Sequence, residues 1–342
     1  MEQNESMLLP IDEIEESNKV DGGEKAANPF ITANTIESSL EQIRSRHIIP
    51  VFTKDNEPLI SQTDFIESAA SIAADIFHGE QILQPKVRLS HPVKGRIPEA
   101  KDKPANQLME REKTVYYERM MFVIEIPSIR DTIDGNELSL TIGGVKAYNL
   151  DNLYSKSVCD QHFKFFIGFK NRVCTNLCVW TDGYMDDLRV KSLPQLKAAI
   201  NTLIDGYNQN LHLFHLKKLV EFGITEQQFA HLVGRCRMYP HLPLHLKAEI
   251  PPILFGDQQM GAVVKDFYRD GSFCRDNQGN INLWKLYNLF TGVNKSSYID
   301  SFLERGVNAF EMVEQIRRGL EQKGDCWYLT YNKATLFWVA LL

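Results

Sequence analysis

Apolar residues recur every three to four positions early in the chain, every second position in its middle, and every three to four again towards its end. After Thr35, the residues Ile36, Leu40, Ile43 and His47 keep helical spacing, which predicts a helix with Thr35 as its N-cap. Residues 48–52 read as a short strand and 54–57 as the turn after it. A second helix carries Phe65, Ala69, Ile72 and Ile76 on one face, with Ser61 or Thr63 as its cap and Gly79 as its stop. From Pro85 the period becomes two, with Val87 and Leu89 alternating with Lys86, Arg88 and Ser90. Residues 116–129 form a second strand pattern, and Asp134-Gly135 is a hairpin signal leading into a third. In that third strand Gly143-Gly144 predicts a kink or bulge.

The most apolar stretch, residues 161–183, reads as two core strands, 163–169 and 172–180. Lys170-Asn171 is expected as the tight turn between them, and Thr181-Asp182-Gly183 as the end of the hairpin. Helical spacing then returns over 188–214, with Pro194 in a first turn. Thr225 opens another helix through a capping box with Gln228, 239–245 reads as a loop, and 257–268, 281–290 and 297–320 are three further helices, the last capped by Ser296. Successive hairpins with no ten-residue helical pattern between them mean an antiparallel sheet rather than a doubly wound parallel one. The expected fold class is therefore α+β: a central antiparallel β-sheet over about residues 84–183, N-terminal helices packed on it, and a helical C-terminal half. In domain terms this gives an acidic arm over 1–27, helices plus sheet over 28–183, a helical part over 184–330, and a tail over 331–342. The apolar run 335–342 suits a short buried strand or a docking segment.

Charge sharpens this picture. The chain has a formal net charge of -6, and residues 1–27 alone hold eight acids against two bases. The rest of the chain is thus near neutral, with local clusters, and the arm cannot bury enough apolar area to offset chain entropy. Between Gln84 and Met120 nine bases face five acids. The six cysteines include no C-x-x-C pair and Met1 is followed by acidic and polar residues, which predicts reduced thiols in a cytoplasmic protein. No apolar run reaches the ~20 residues that cross a bilayer, so no membrane partner is expected.

Most motifs that could carry chemistry have a plainer reading. His241-x-x-x-His245 near Cys236 is interrupted by Pro240 and Pro243 and reads as loop histidines, and His212 and His215 read as a helix-face pair. Cys174 and Cys178, placed on a strand, would sit roughly 13 Å apart and read as small core residues. Gly143-Gly144-Val145-Lys146 is a lone glycine pair before a lysine, and no G-x-S-x-G, H-E-x-x-H or G-x-x-x-x-G-K-[ST] occurs. Asp182, Asp186 and Asp187 have a spacing that could hold Mg²⁺ with a substrate phosphate. No catalytic residue, metal ligand or cofactor is assigned. The remaining signal is a set of cations and rings on or beside predicted strands. Lys94, Arg96, Lys146, Lys170 and Arg172, with Tyr148 and Trp180, are the candidate nucleic-acid-binding residues. Lys86, Arg88, Lys164, Tyr116 and Phe165 lie among them. Cations for phosphates beside flat rings for bases are what a single-strand binder needs.

Several segments also resemble a known family. NPFITANT at 28–35, IIPVFTKDNE at 48–57, SHPVKGRIPEA at 90–100, GVKAYNLDNLY at 144–154, FIGFKNRVCTNLCV at 166–179 and LWKLYNLFTGVNKSSYID at 283–300 resemble the bacterial domain-of-unknown-function family numbered 3871. The resemblance covers residues 28 to about 330. The pieces at 147–149, 172–176 and 283–291 are also similar to a broader phage- and plasmid-encoded family numbered 932. Neither family implies an activity or catalytic residues; together they imply a setting on mobile genetic elements. The expectation is a non-enzymatic DNA-binding protein of a mobile element, binding single- or double-stranded DNA, with single-strand binding or annealing as its finer form. The alternatives are a protein that acts on a host factor, of anti-restriction or anti-defence type, and a metal-dependent nuclease.

Overall fold

The computed structural model describes residues 29–46, 60–151, 160–248, 250–322 and 326–329. The expected strand at 48–52 and turn at 54–57, the arm over 1–27 and the tail run 335–342 lie outside these residues.

The fold is α+β, built on a six-stranded antiparallel sheet. Its strands are β1 (Ile36–Ser38), β2 (Lys86–Leu89), β5 (Arg119–Ile133), β6 (Asn136–Ala147), β7 (Gln161–Asn171) and β8 (Leu177–Val190), in that spatial order. Between β2 and β5 the chain leaves the sheet as a separate two-stranded ribbon, β3 (Pro92–Arg96) against β4 (Lys113–Tyr117). The helices are α1 (Leu40–Arg46), α2 (Gln62–Ile76), α3 (Leu193–Gly206), α4 (Gln209–Lys218), α5 (Glu226–Met238), α6 (Leu244–Lys247), α7 (Asp257–Arg269), α8 (Leu283–Asn294) and α9 (Ile299–Gln322). A small pair, β9 (Gly223–Thr225) and β10 (Asn280–Asn282), leads directly into α5 and α8.

Local chemistry explains several boundaries. Ser61 caps α2 through a full capping box: its hydroxyl accepts from the Asp64 amide at 2.9 Å, and the Asp64 carboxylate accepts from the Ser61 amide at 3.0 Å. Thr225 and Gln228 make the same exchange at the head of α5. Asp134 and Gly135 both have positive φ, 47° and 75°, the conformation of the two-residue hairpin turn between β5 and β6.

Other expectations are corrected. Residues 36–38 are an edge strand, so the first helix begins only at Leu40. Pairing overrides the helical spacing there: Ile36 lies opposite Leu89, and the Arg88 guanidinium donates to the Thr35 carbonyl at 2.8 Å and its hydroxyl at 3.0 Å. Strand β7 runs through Lys170 and Asn171, and the turn falls at 172–176, where Thr175 takes φ 59°. Gly183 lies inside β8, which continues to Val190 before α3 starts at Leu193. The region expected as one helix over 188–214 is thus the end of a strand and two helices, although Pro194 does sit in a first turn. Ser296 is not the cap of α9; its hydroxyl donates back to the Val293 carbonyl at 2.7 Å.

The glycine pair also plays a different part. Gly143 and Gly144 stand in regular register opposite Val123 and Phe122, and the irregularity in β5 falls between Ile126 and Arg130, where Pro127 lacks an amide to give. What the glycines provide is closeness. A Cβ on Gly144 would lie 2.4 Å from Cζ of Phe65 and 2.8 Å from the Lys164 carbonyl. The tip of the Phe65 ring, from α2, therefore reaches the strand at Gly144, and the ring meets Phe122 and Phe163 edge-on, with ring centres 5.1 and 4.9 Å away.

Both faces of the sheet are covered. On one face Val87, Leu89, Phe122, Ile124, Ile142, Phe165, Ile167 and Phe169 join the core beneath α2, α3 and α4. On the other Met121, Val123, Val145, Phe166, Leu177 and Val179 pack under Phe30, Ile31 and the first half of α9. That double burial decides the fate of the cations carried by the strands.

Candidate functional site

Lys146 sits near the end of β6, opposite Phe163, on the face under α2. It is 0% exposed. A single turn, Tyr148–Leu150, returns the chain so that Asp151 meets the ammonium at 2.7 and 3.0 Å, and the His162 carbonyl accepts from it at 3.2 Å. The Phe163 ring lies 4.2 Å beneath it. Burial pushes the Lys146 ammonium below its ordinary range, and Asp151 opposes that shift. Tyr148 is buried too, and burial raises its phenol.

Lys170 and Lys164 belong to the other face, with Phe166, because even-numbered residues of β7 alternate with Phe163, Phe165, Ile167 and Phe169. Lys170 pairs with Glu125 at 2.7 Å, and Ser139 donates to the second Glu125 oxygen at 2.7 Å. Burial works to raise the Glu125 carboxyl, but these hydrogen bonds overrule it and hold it below the usual carboxylate range. Lys164 is ion-paired with Glu304, lies 3.2 Å from Asp186, and donates to the Asp300 carbonyl at 2.8 Å, all under α9. Arg172 stands at the hairpin tip with its guanidinium 2.9 Å from Glu137, whose same oxygen takes Arg130 at 2.9 Å. Trp180 is partly exposed and wedged against His215, His212 and Phe310, with ring centres 5.1, 5.6 and 6.4 Å away. Phe165 is core.

The open basic and aromatic face expected of the sheet is therefore not assembled. Lys146 lies on one side of the sheet and Lys170 on the other, and both are sealed in ion pairs. The reason is the second layer: with helices on both faces, an alternate-residue cation can stay charged only beside a carboxylate.

Two of the seven candidates lie elsewhere. Lys94 and Arg96 are on the β3–β4 ribbon, opposite Val115 and Lys113. Arg96 donates to the Lys103 carbonyl. Lys94 is exposed, as are Lys101 and Arg111 in the ribbon's connecting loop. None of these three side chains makes an ion pair or hydrogen bond among the described residues. Lys103 and Lys113 are neutralised by Glu112 and Glu110.

The acids and metal-type residues do not converge either. Asp186 accepts from Tyr184 at 2.7 Å and faces Lys164, while Asp187 is held by Arg189 at 2.7 Å and His162 at 3.2 Å. Asp182 is exposed on β8. Cys174 is in the hairpin turn and not on a strand, Cys178 is fully buried, and Cys236 is buried while His241 and His245 face outwards. No group of three such residues is placed to hold a metal among the described residues.

His212 is a buried histidine. Its Nδ1 shares a hydrogen bond of 2.7 Å with the Tyr207 hydroxyl. Burial drives its pKa down to about 3. A histidine depressed on folding binds its proton in the unfolded chain first, so it withdraws stability as pH falls below its unfolded value of about 6.5, by up to about 1.4 kcal/mol per pH unit. His212→Gln should accordingly flatten the loss of stability between about pH 6.5 and 5, where carboxylates barely titrate. Urea unfolding at these two values checks it, and an equally steep loss in the variant contradicts it.

Sequence reading missed what two quoted motifs do together. The segment 172–176 meets the segment 283–291: the Asn176 amide donates to the Asn288 carbonyl at 3.1 Å, and Lys295 donates to the Cys174 carbonyl and, at 3.0 Å, to the Thr175 hydroxyl. These contacts latch the β7–β8 hairpin tip to α8 and hold the strained Thr175. A shared pattern of small polar residues was the only hint in the sequence.

A family model described as "Domain of unknown function, B. Theta Gene description (DUF3871)" matches residues 14–329. No curated protein and no solved structure matches the chain.

Proposed function

The chain belongs to the DUF3871 family, and from that premise and the geometry we propose that it acts by binding nucleic acid, without covalent chemistry, through the β3–β4 ribbon. One observation carries the reading: a two-stranded ribbon outside the main sheet presents Lys94, with Lys101 and Arg111 in its loop, exposed and with no ion pair or hydrogen bond from their side chains among the described residues. Such cations can meet phosphates without giving up an ion pair, and the counterions released from the nucleic acid favour the exchange, whereas Lys146 and Lys170 would first have to abandon buried carboxylates. A two-stranded ribbon is also a shape that nucleic-acid grooves accept. The setting we propose is a mobile genetic element, a reading that rests on sequence resemblance alone.

Fluorescence anisotropy with labelled single-stranded DNA across a salt series tests this. Each phosphate contact on a single strand contributes about 0.7 to the slope of log affinity against log salt, so replacing Lys94, Lys101 and Arg111 together by alanine should flatten the slope by about 2. Absence of binding at low salt, or an unchanged slope, overturns the proposal.

A further inference from the structure

Where the β3–β4 ribbon leaves the sheet, a cleft of about 280 Å³ opens between four stretches of chain. They are residues 33–35 just before β1, residues 90–93 entering the ribbon, residues 118–119 leaving it, and residues 298–299 at the head of α9. Ligand pockets begin at roughly 300 Å³, so this one suits a single small, flat group.

Three side chains on its walls have no task in the fold. Asn34, His91 and Tyr298 are exposed, and their side chains make no hydrogen bond or ion pair among the described residues. Asn34 stands on a pinned backbone. On one side the Ala33 amide donates to the Lys295 carbonyl at 3.1 Å, and on the other Thr35 accepts from Arg88 at 2.8 and 3.0 Å. Between these anchors Asn34 takes φ 36°, a left-handed conformation that asparagine accepts more readily than most residues. The loop thus offers a carboxamide whose donor and acceptor are both unused. Pro92 and Val93 add an apolar wall, and the Tyr298 ring is 59% exposed.

Charge decides what the cleft accepts. The guanidinium on its wall, Arg119, is already balanced, 3.1 Å from Asp300 and 3.4 Å from Glu118. A phosphate would have to displace those carboxylates, whereas a neutral group would not. A nucleobase meets each requirement: its face stacks on a tyrosine, and adenine pairs with a carboxamide through N6 and N7. The ribbon supplies the matching charge. Lys94 follows Pro92 by two positions, on the same side of β3 and about 7 Å further along, so a base in the cleft leaves its neighbouring phosphate beside a free cation. We propose that this cleft receives one unstacked adenine base of the single strand whose phosphates the ribbon holds, an inference that rests on the nucleic-acid reading of the ribbon.

The test uses the full-length protein, a labelled adenine-bearing single strand, an abasic strand of the same length, and adenosine, which carries no phosphate. In fluorescence anisotropy the adenine strand should bind about tenfold more tightly than the abasic one, the usual effect of one stacked base, with the same salt slope for both. Tyr298→Ala should lose that preference and leave the abasic strand unaffected, while Tyr298→Phe keeps it. Asn34→Gly, which removes the carboxamide and tolerates the positive φ, should weaken the adenine strand about threefold or more. Saturation-transfer NMR should detect adenosine on the parent protein and on the variant with Lys94, Lys101 and Arg111 replaced by alanine, but not on Tyr298→Ala. Equal binding of the two strands, a preference that Tyr298→Ala retains, or no transfer to adenosine overturns the cleft, whatever the ribbon does. If neither strand binds while adenosine is detected on the parent and lost in Tyr298→Ala, the base site stands and the ribbon reading falls.

Discussion

Lys146→Ala should lower the stability of the fold by about 3–5 kcal/mol, the usual consequence of leaving one buried charge without its partner. Asp151 would be stranded, buried at 8% exposure, with the His162 amide at 2.7 Å as its remaining hydrogen-bond donor among the described residues. Lys146→Met tests the electrostatic part, since its side chain fills the space over Phe163 without the charge. Combining Lys146→Met with Asp151→Asn should cost much less than the sum of the single changes, because each single change strands the other group. Denaturant unfolding of the three variants checks this, and simple additivity would mean that the pair is not coupled.

Gly144→Ala should cost about 3 kcal/mol, at the upper end of what overpacking usually does. The added methyl would lie 2.4 Å from the Phe65 ring and 2.8 Å from the Lys164 carbonyl. The ring can turn aside only by leaving Phe122 and Phe163, and the carbonyl belongs to the neighbouring strand. Phe65→Leu in the same chain removes the nearer obstacle and should restore about 1 kcal/mol relative to adding the two single costs. A rise in unfolding midpoint of the double variant above the additive value supports the account; a double variant at or below that value contradicts it.

Much of the sheet was legible in the sequence because its signals are local. Alternation over Val87 and Leu89, the Asp134-Gly135 turn and the capping box at Thr225 each depend on a few neighbouring residues, and each is found where it was read; of the two caps offered for α2, Ser61 and Thr63, it is Ser61 that caps. The late helices α7, α8 and α9 also follow their spacing closely. What was not legible was tertiary. Residues 36–38 have helical spacing, yet Arg88, more than fifty positions away, captures Thr35 and holds them as an edge strand. Period-two patterning places Lys146 on a strand and leaves Lys170 in the turn just after one, but cannot say that α2 closes over one face of the sheet and α9 over the other. Asp151 and Glu125, the partners that neutralise them, carry no signature in sequence that ties them to those lysines. The candidate site therefore shifts from the sheet to the ribbon, where the sequence excess of cations between Gln84 and Met120 meets open water.

The most direct measurement is lysine acylation of the native protein, read residue by residue by mass spectrometry, with and without single-stranded DNA. Lys94 and Lys101 should react readily and become protected when DNA is added, while Lys146, Lys164 and Lys170 stay unreactive in both conditions. Ready reaction at Lys146 or Lys170 that DNA suppresses, or reactivity at Lys94 that DNA leaves unchanged, would contradict the account.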